Sequence, residues 1–268
     1  MTTRMTVQRL GRLIADGDVD EVRKAVENNP RLLARTVERE GQGGWTPLHL
    51  AVVEHRAEVV RVLVAAGADL GARTEHGRTP LHLALRFAPE VAPVLLELGA
   101  TVDAPSAAYL DDVDTLTGQL DGGTRPDDRA SGADLLSWAA FGGATSTTKL
   151  LLARGADVNG GALRAAAGNG RLDVVRMLVD AGADVDRRDP TTGRTALHAA
   201  VAAGGGDAPE IVELLLAAGA DVNATTSDGA SALDISRIAA AQLRHGDAGQ
   251  ATAHDALADV LVAHGATD

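Results

Sequence analysis

Apolar residues along the chain fall into short helical stripes separated by glycine-containing turns. The clearest stripes combine spacings of three and four residues, as in Val59, Val60, Leu63 and Val64, and again in Val174, Val175, Leu178 and Val179. This spacing places one apolar face on a helix. A second, shorter helical pattern precedes each stripe. The chain is therefore predicted to be all-α and built from pairs of short amphipathic helices.

Two sequence markers recur around these helix pairs. The first is Thr-x-Leu-His, at residues 46–49, 79–82 and 195–198, with a weaker copy, Ser-Ala-Leu-Asp, at 231–234. Its Thr is expected to cap a helix, which stabilises the fold by about 1 kcal/mol. The Pro that follows in the first two copies suits the first helical position. The second marker begins with a glycine, at Gly67, Gly99, Gly155, Gly182, Gly219 and Gly265. This glycine is expected to adopt the left-handed conformation that ends the second helix. Such pairs cannot bury their apolar faces alone, so they are expected to stack.

On these markers the chain resembles the ankyrin repeat family, from about Val7 to Ala266. The resemblance implies an all-α ankyrin-repeat solenoid in a single domain, 1–268, with an N-terminal helical cap at 7–42 and short hairpin loops. About seven helix-turn-helix repeats are predicted, at 43–74, 75–104, 105–130, 131–159, 160–189, 190–226 and 227–268. The third is degenerate. Extra residues are expected at Val37–Gly43, Gly204–Asp207 and His245–Thr252.

Composition limits the core and the range of ligands. The 268 residues include two Trp, one Tyr, two Phe and no Cys, so the core must consist of Leu, Val, Ile and Ala, and neither disulfides nor thiolate zinc sites can form. A net charge of −12 argues against nucleic acid. No apolar run is long enough for a membrane span or a signal peptide, so a cytoplasmic location is predicted. Abundant Ala, Gly and Arg are typical of GC-rich bacterial genomes.

The motif histidines, His49, His82 and His198, could in principle serve as bases or metal ligands. The sequence contains no His-Glu-x-x-His pair and no close cluster of His with carboxylates. In the ankyrin family this histidine makes structural hydrogen bonds, which is the role expected here. No catalytic residue, metal or cofactor is predicted.

The resemblance also implies a binding surface, because family members usually bind partners on the concave face formed by first helices and hairpins. Residues just before the interhelical turns face that side. The predicted partner contacts, centred on the first four repeats, are Trp45, Glu54, Arg86, Phe87, Tyr109 and Phe141, whereas Trp138 is expected to face the core. Arg and aromatic residues are frequent in binding hot spots. The function predicted is a non-catalytic scaffold, most simply a monomer, that binds an unidentified protein or peptide.

Two alternatives stay open at this stage. The rings could be covered by the Val37–Gly43 extension instead of being available to a partner. The degenerate third repeat could also form a pocket for a small molecule or an unusual enzyme activity, lined by His82, Arg86, Tyr109, Asp111 and Asp112.

Overall fold

The computed structural model describes residues 5–39, 41–244 and 246–267. The chain divides into two compact units, which are described separately: Met1–Ser106 with Arg129–Ala133, and Ala107–Asp128 with Asp134–Asp268. Glu40 and His245, which belong to two of the predicted extensions, lie outside the described residues. The single-domain organisation and the repeat boundaries remain predictions.

The first unit contains two layers of helices and one hairpin. Its elements are α1 (Val7–Asp16), α2 (Val19–Asn28), a 3-10 helix (Pro30–Ala34), β1 (Val37–Arg39), β2 (Gln42–Trp45), α3 (Pro47–Val53), α4 (Ala57–Ala65), α5 (Pro80–Phe87), α6 (Ala92–Glu97) and the start of α7 (Ala104–Tyr109). Helices α1, α3 and α5 pack in succession, and α2, α4 and α6 form the second layer. Helices α1 and α2 lie within the range predicted as the cap, 7–42.

The second unit continues the same pattern. After the end of α7 its helices are α8 (Val113–Asp121), α9 (Leu135–Gly142), α10 (Thr145–Ala153), α11 (Ala162–Gly168), α12 (Leu172–Asp180), α13 (Ala196–Ala203), α14 (Ala208–Ala217), α15 (Ala232–Leu243) and α16 (Ala248–Ala263). Helices α9, α11, α13 and α15 form one layer, and α8, α10, α12, α14 and α16 form the other. The degenerate third repeat therefore still supplies two helices, α7 and α8.

Helix ends follow the chemistry of the sequence markers. The hydroxyl of Thr46 accepts the backbone N–H of His49, and the backbone N–H of Thr46 donates to Nδ1 of the same histidine, which completes a capping box at α3. Glycines that follow the second helices have φ between 81° and 104°, the left-handed conformation expected of them. These positions are Gly67, Gly99, Gly123, Gly155, Gly182, Gly219 and Gly265.

Leu, Val, Ile and Ala fill the core, as composition predicts. Its largest buried side chain is Trp138, which is fully enclosed, so the prediction that this ring faces the core is confirmed. Layers of this kind need small residues where helices approach closely, and Ala139, Ala140, Ala166 and Ala167 are also fully buried.

In the second unit, a ladder of Asx side chains connects the turns that follow successive helix pairs. Each side chain accepts the backbone N–H of a residue in the next turn: Asp127 from Asp157, Asn159 from Asp184, Asp186 from Asp221, and Asn223 from Thr267, at 2.8–3.0 Å. The sequence analysis did not predict that these side chains join neighbouring repeats.

Candidate functional site

The motif histidines are enclosed by the fold. His49, His82 and His198 are fully buried, and each accepts a hydrogen bond from the backbone N–H of its capping Thr. Nε2 of His49 also lies 3.1 Å from the carbonyl oxygen of Arg78. Burial lowers the pKa of His49 to about 4, so its ring is neutral near pH 7. These contacts confirm the structural role expected from the motif.

His82 forms the most polar of these contacts. Its Nε2 lies 2.8 Å from Oδ1 of Asp103, which also accepts the hydroxyl of Ser106 at 2.9 Å. Burial opposes ionisation of Asp103, but the hydrogen bonds and the charge interaction with His82, together with the bonds from Ser106, outweigh it and hold the pKa of Asp103 at about 2. His82 therefore joins α5 to the turn before α7 and offers no exposed atom to a ligand.

Arg86 and Phe87 form the exposed end of α5 in the first unit. The preceding residues, Leu83, Ala84 and Leu85, are buried, whereas 47% of the Phe87 surface is exposed. The guanidinium carbon of Arg86 lies 5.3 Å from the centroid of the Phe87 ring, which is a cation–π arrangement. The helix thus packs along most of its length and presents an aromatic ring with an adjacent cation at its C-terminus.

Trp45, the last residue of β2, and Glu54, at the end of α3, both contact Arg39 of β1 in the first unit. Nη1 of Arg39 contacts Oε1 of Glu54 at 2.7 Å, and its guanidinium carbon lies 5.8 Å from the centroid of Trp45. Only 8% of Trp45 is exposed. Arg39 belongs to the Val37–Gly43 extension, so the alternative in which this extension covers a ring applies to Trp45. Glu54 is half-buried in an ion pair. Neither side chain is available in the way that Phe87 is.

Tyr109, Leu110 and Phe141 form an apolar patch in the second unit. Tyr109 and Phe141 are half-buried, and 40% of Leu110 is exposed. Phe141 meets the buried Trp138 edge-to-face with ring centroids 6.1 Å apart, which fixes its ring. Helices α7 and α9 approach so closely that a Cβ on Gly142 would lie 2.1 Å from the carbonyl oxygen of Tyr109. Leu110 also lies just before an interhelical turn, where partner contacts were predicted. It was not among the predicted contacts, because its residue type did not suggest one.

The two acidic residues of the alternative pocket are helix caps. Oδ1 of Asp111 accepts the backbone N–H of Thr147 at 2.8 Å, at the start of α10, and lies 3.2 Å from the Thr147 hydroxyl. Oδ1 of Asp112 accepts the backbone N–H of Thr115 at 3.0 Å, at the start of α8. Hydrogen bonds from the side chain of Thr115 and from its backbone N–H lower the pKa of Asp112. Both carboxylates are thus used within the second unit, as an ordinary interhelical turn requires.

Two arginines that the sequence analysis did not single out fix the ends of first helices. Arg56 donates to the carbonyl oxygen of Ala15 in the first unit, and Nε of Arg171 donates to that of Phe141, at 3.3 Å, in the second. Each arginine precedes a second helix and satisfies a carbonyl left open at the end of the previous first helix. Such contacts between repeats carry no local sequence signal beyond an arginine after the turn.

The described residues form neither a metal site nor a membrane-spanning helix. Within 5–39, 41–244 and 246–267, no group of three or more His, Asp or Glu is arranged to hold a metal ion. None of the helices in the same ranges combines the length and apolar character that crossing a bilayer requires.

Comparison with known proteins gives consistent matches. A family model described as ankyrin repeats matches residues 14–106, 107–189 and 136–226. The B-cell lymphoma 3 protein homolog of Mus musculus is 33% identical over 205 residues, which cover 65% of this chain and 46% of that protein. Protein phosphatase 1 regulatory subunit 27 of Homo sapiens is 38% identical over 92 residues, 34% of this chain and 57% of that protein. NF-kappa-B inhibitor alpha of Gallus gallus is 54% identical over 39 residues, 15% of this chain and 12% of that protein. The chain spans about half the length of the first two relatives.

Proposed function

The chain belongs to the ankyrin repeat family, and from this premise we propose that it is a non-catalytic scaffold that binds a protein or peptide. Ankyrin repeats are protein-interaction modules. The proposed contacts lie at the C-terminal ends of first helices, on the face predicted to be concave. They are Arg86 and Phe87 in the first unit, with Tyr109, Leu110 and Phe141 in the second.

The observation that carries this proposal is the exposure of Phe87 beside Arg86. A helix end that leaves nearly half of a phenyl ring in water, with a guanidinium 5.3 Å from its centroid, costs free energy in the isolated chain. Aromatic and arginine side chains are also the residue types most often found at the energetic centre of protein interfaces. A partner that covers this ring would recover the cost and could place a carboxylate against Arg86.

The patch in the second unit supports the same kind of ligand. Phe141 is held by its edge-to-face contact with Trp138, and the backbone of Tyr109 lies against Gly142, where α7 approaches α9. Leu110 adds an exposed apolar side chain next to Tyr109 in the chain. Side chains that are already ordered lose little conformational entropy when a partner binds. The names of two relatives, a regulatory subunit of protein phosphatase 1 and an inhibitor of NF-kappa-B, are consistent with a protein as the ligand.

A small-molecule pocket or enzyme activity near the third repeat has less support. Its carboxylates, Asp111 and Asp112, cap α10 and α8, and His82 is fully buried against Asp103. A nucleic acid ligand is disfavoured by the net charge of −12. We therefore propose a monomeric protein or peptide binder without a cofactor.

Affinity capture from native cell extract, with mass spectrometry, tests this function. The baits are the unaltered chain, Phe87→Ala, Tyr109→Ala, and Ile238→Ala as a matched control. Ile238 is a suitable control because it is 55% exposed on α15 and lies outside the proposed surface. Circular dichroism and thermal melting establish that each variant is folded.

The expected result is a partner retained by the unaltered chain and by Ile238→Ala, and lost or much reduced with Phe87→Ala or Tyr109→Ala. A partner held equally by all four baits would place the binding surface elsewhere. If no bait retained a protein, the scaffold function itself would lose its support, and metabolite binding near Tyr109 would be examined next.

A further inference from the structure

A cavity in the first unit lies between the start of α1 and the 3-10 helix that follows α2. Its volume is about 500 Å³, which falls within the range of small-molecule sites, about 300–1,000 Å³. Its apolar lining includes Val7, the first residue of α1, and Leu32 of the 3-10 helix. We call it the N-terminal cavity; it is lined by residues at the start of α1 and by residues between Asn29 and Thr36.

The elements that line the N-terminal cavity are anchored in the fold. The hydroxyl of Thr6 caps α1 by accepting the backbone N–H of Arg9 at 3.2 Å. The 3-10 helix buries Leu32 and Leu33 and packs against α2 and α3. Because this cavity is already formed by fixed backbone, a ligand would order little of the chain on binding.

Two arginines give the N-terminal cavity its charge. Arg31 and Arg35 both line it and are exposed, and neither guanidinium forms an ion pair or a hydrogen bond with another described residue. By contrast, Arg61 in the same unit contacts Glu97 at 2.8 Å. No Asp or Glu is among the described residues of the lining. The cavity therefore concentrates positive charge in a chain whose net charge is −12.

Neutral side chains of the lining add further hydrogen-bond donors. Those of Gln8, Asn29 and Thr36 have no hydrogen-bond partner among the described residues. Each carries an amide or hydroxyl group that can donate to an oxygen atom of a ligand. Since no carboxylate of the described lining competes for these donors or for the guanidiniums, the cavity is suited to an anionic ligand rich in oxygen acceptors.

The same groups favour a phosphate over a single carboxylate. A phosphate ester carries a charge of about −1.5 to −2 at neutral pH and has three strong acceptor oxygens. Arginine binds such oxygens through its paired N–H donors. One carboxylate would neutralise only one of the two guanidiniums. The apolar surface of Val7 and Leu32 would remain unused by inorganic phosphate, so the lining matches a phosphate joined to an apolar group.

We propose that the N-terminal cavity binds a small phosphate monoester. The phosphate group contacts Arg31 and Arg35, and the organic part of the molecule lies against Val7 and Leu32. The cavity shares no residue with the contacts proposed above for a protein partner, so this site does not depend on that function.

Isothermal titration calorimetry of the full chain with phenyl phosphate tests the proposal. Inorganic phosphate lacks the apolar group, phenol lacks the phosphate, and phthalate carries two carboxylates in its place. An octapeptide that contains phosphotyrosine presents the same phosphate ester on a peptide. All titrations use one ionic strength, because salt screens the interactions of exposed charges.

Four variants of the full chain provide the structural test. Arg31→Met and Arg35→Met each remove one guanidinium from the cavity and keep an unbranched side chain. Arg35→Lys retains the charge but loses the paired donors. Arg23→Met is the matched control, because Arg23 is exposed on α2 and is not part of the lining. Circular dichroism establishes that each variant is folded.

The expected result is saturable binding of phenyl phosphate that weakens at least about tenfold with Arg31→Met and with Arg35→Met, as the loss of a charge-assisted hydrogen bond predicts. Arg35→Lys should weaken binding less than Arg35→Met does. Arg23→Met should leave binding within about threefold of the unaltered chain. Inorganic phosphate and phthalate should bind more weakly than phenyl phosphate, and phenol should not bind.

Several results would overturn the proposal. They are failure of phenyl phosphate to saturate, retained binding in both cavity Met variants, and an equal loss with Arg23→Met. Inorganic phosphate that binds as tightly as phenyl phosphate would show that the apolar lining is not used. Tighter binding of the phosphotyrosine peptide would make the ligand a protein, and tighter binding of phthalate would make it a dicarboxylate, so either result would also contradict a small phosphate monoester.

Discussion

The side chain of Arg171 lies across Gly143. Its Nε donates to the carbonyl oxygen of Phe141, at 3.3 Å, and a Cβ on Gly143 would lie 2.8 Å from Cδ of Arg171. The first unit contains the same arrangement, in which Arg56 donates to the carbonyl oxygen of Ala15 and passes over Gly17. Glycine at the interhelical turn thus leaves room for the arginine of the next repeat, and it also permits the conformation of its own backbone.

Substitution of Gly143 tests this relationship. Gly143→Ala places a side chain at φ 76°, which costs about 1–2 kcal/mol, and it also displaces the arginine. Gly170→Ala is the matched control, because Gly170 has φ 65° and no atom near its missing Cβ. We expect Gly143→Ala to lower the free energy of unfolding by about 1 kcal/mol more than Gly170→Ala, the value of the lost hydrogen bond. Equal losses in urea denaturation would show that Arg171 contributes nothing at this turn.

Asp111 combines two roles that a single substitution can separate. It adopts a positive φ of 59°, which Asp tolerates better than Ala, and its carboxylate caps α10 at Thr147. Asp111→Ala loses both features and should destabilise the chain by about 2–3 kcal/mol. Asp111→Gly restores the backbone freedom and should lose only the cap, about 1 kcal/mol. Asp111→Asn keeps an acceptor oxygen and should remain close to the unaltered chain. Thermal denaturation of the three variants gives the order, and a Gly variant as unstable as the Ala variant would contradict it.

The sequence predicted what depends on local chemistry. The Thr-x-Leu-His motif gave the capping box and the role of His49, because both partners lie three residues apart. The closing glycines and the helix pairs follow from the same short-range rules. Trp138 was correctly assigned to the core from its position early on its helix.

Contacts between distant residues could not be predicted in the same way. The bond from Asp111 to Thr147 joins residues 36 positions apart, and nothing near either residue indicates it. Trp45 was predicted as a partner contact, but it ends β2, only 8% of it is exposed, and the guanidinium of Arg39 lies over its ring. A short inserted segment can fold over a face or extend from it, and its composition does not decide between them.

Acid should destabilise the chain through its buried histidines. The pKa of His49 is about 4 in the folded chain, against 6.5 for an exposed ring, because burial disfavours the charged form. The unfolded chain therefore binds more protons between these values, so stability falls as the pH drops through about 6.5 and levels off near 4. Complete protonation of His49 corresponds to a loss of about 3 kcal/mol. Burial lowers the pKa of His198 and His254 in the same direction.

Two measurements check this pH dependence. Urea denaturation should give a lower free energy of unfolding at about pH 5 than at about pH 7.5, and a proton NMR titration should place the pKa of His49 near 4. The ionised Asp103 does not interfere, because its pKa is lowered from 3.8 to about 2 and its contribution is lost only below this window. A pKa for His49 close to that of an exposed histidine would contradict the enclosed position of its ring.

The contact between α7 and α9 leads to the last prediction. A Cβ on Gly142 would lie 2.1 Å from the carbonyl oxygen of Tyr109 and 3.0 Å from its carbonyl carbon, both of them backbone atoms. No side-chain rotation relieves such a clash, so Gly142→Ala should separate the two helices and cost about 3 kcal/mol. Gly168→Ala is the matched control, because Gly168 also ends a first helix and the atom nearest to its Cβ would be Cβ of Ala199, at 3.4 Å, which is an ordinary contact.

Gly168→Ala should change stability by no more than about 1 kcal/mol, since Ala is the better helix former. Gly142→Ala has a further consequence, because separating α7 from α9 also moves Tyr109 and Leu110 away from Phe141. A partner held by this patch should therefore be lost with Gly142→Ala even at temperatures where the variant remains folded. Chemical denaturation combined with the affinity capture measures both effects. Normal stability in Gly142→Ala would show that the two helices do not approach as closely as the structure indicates.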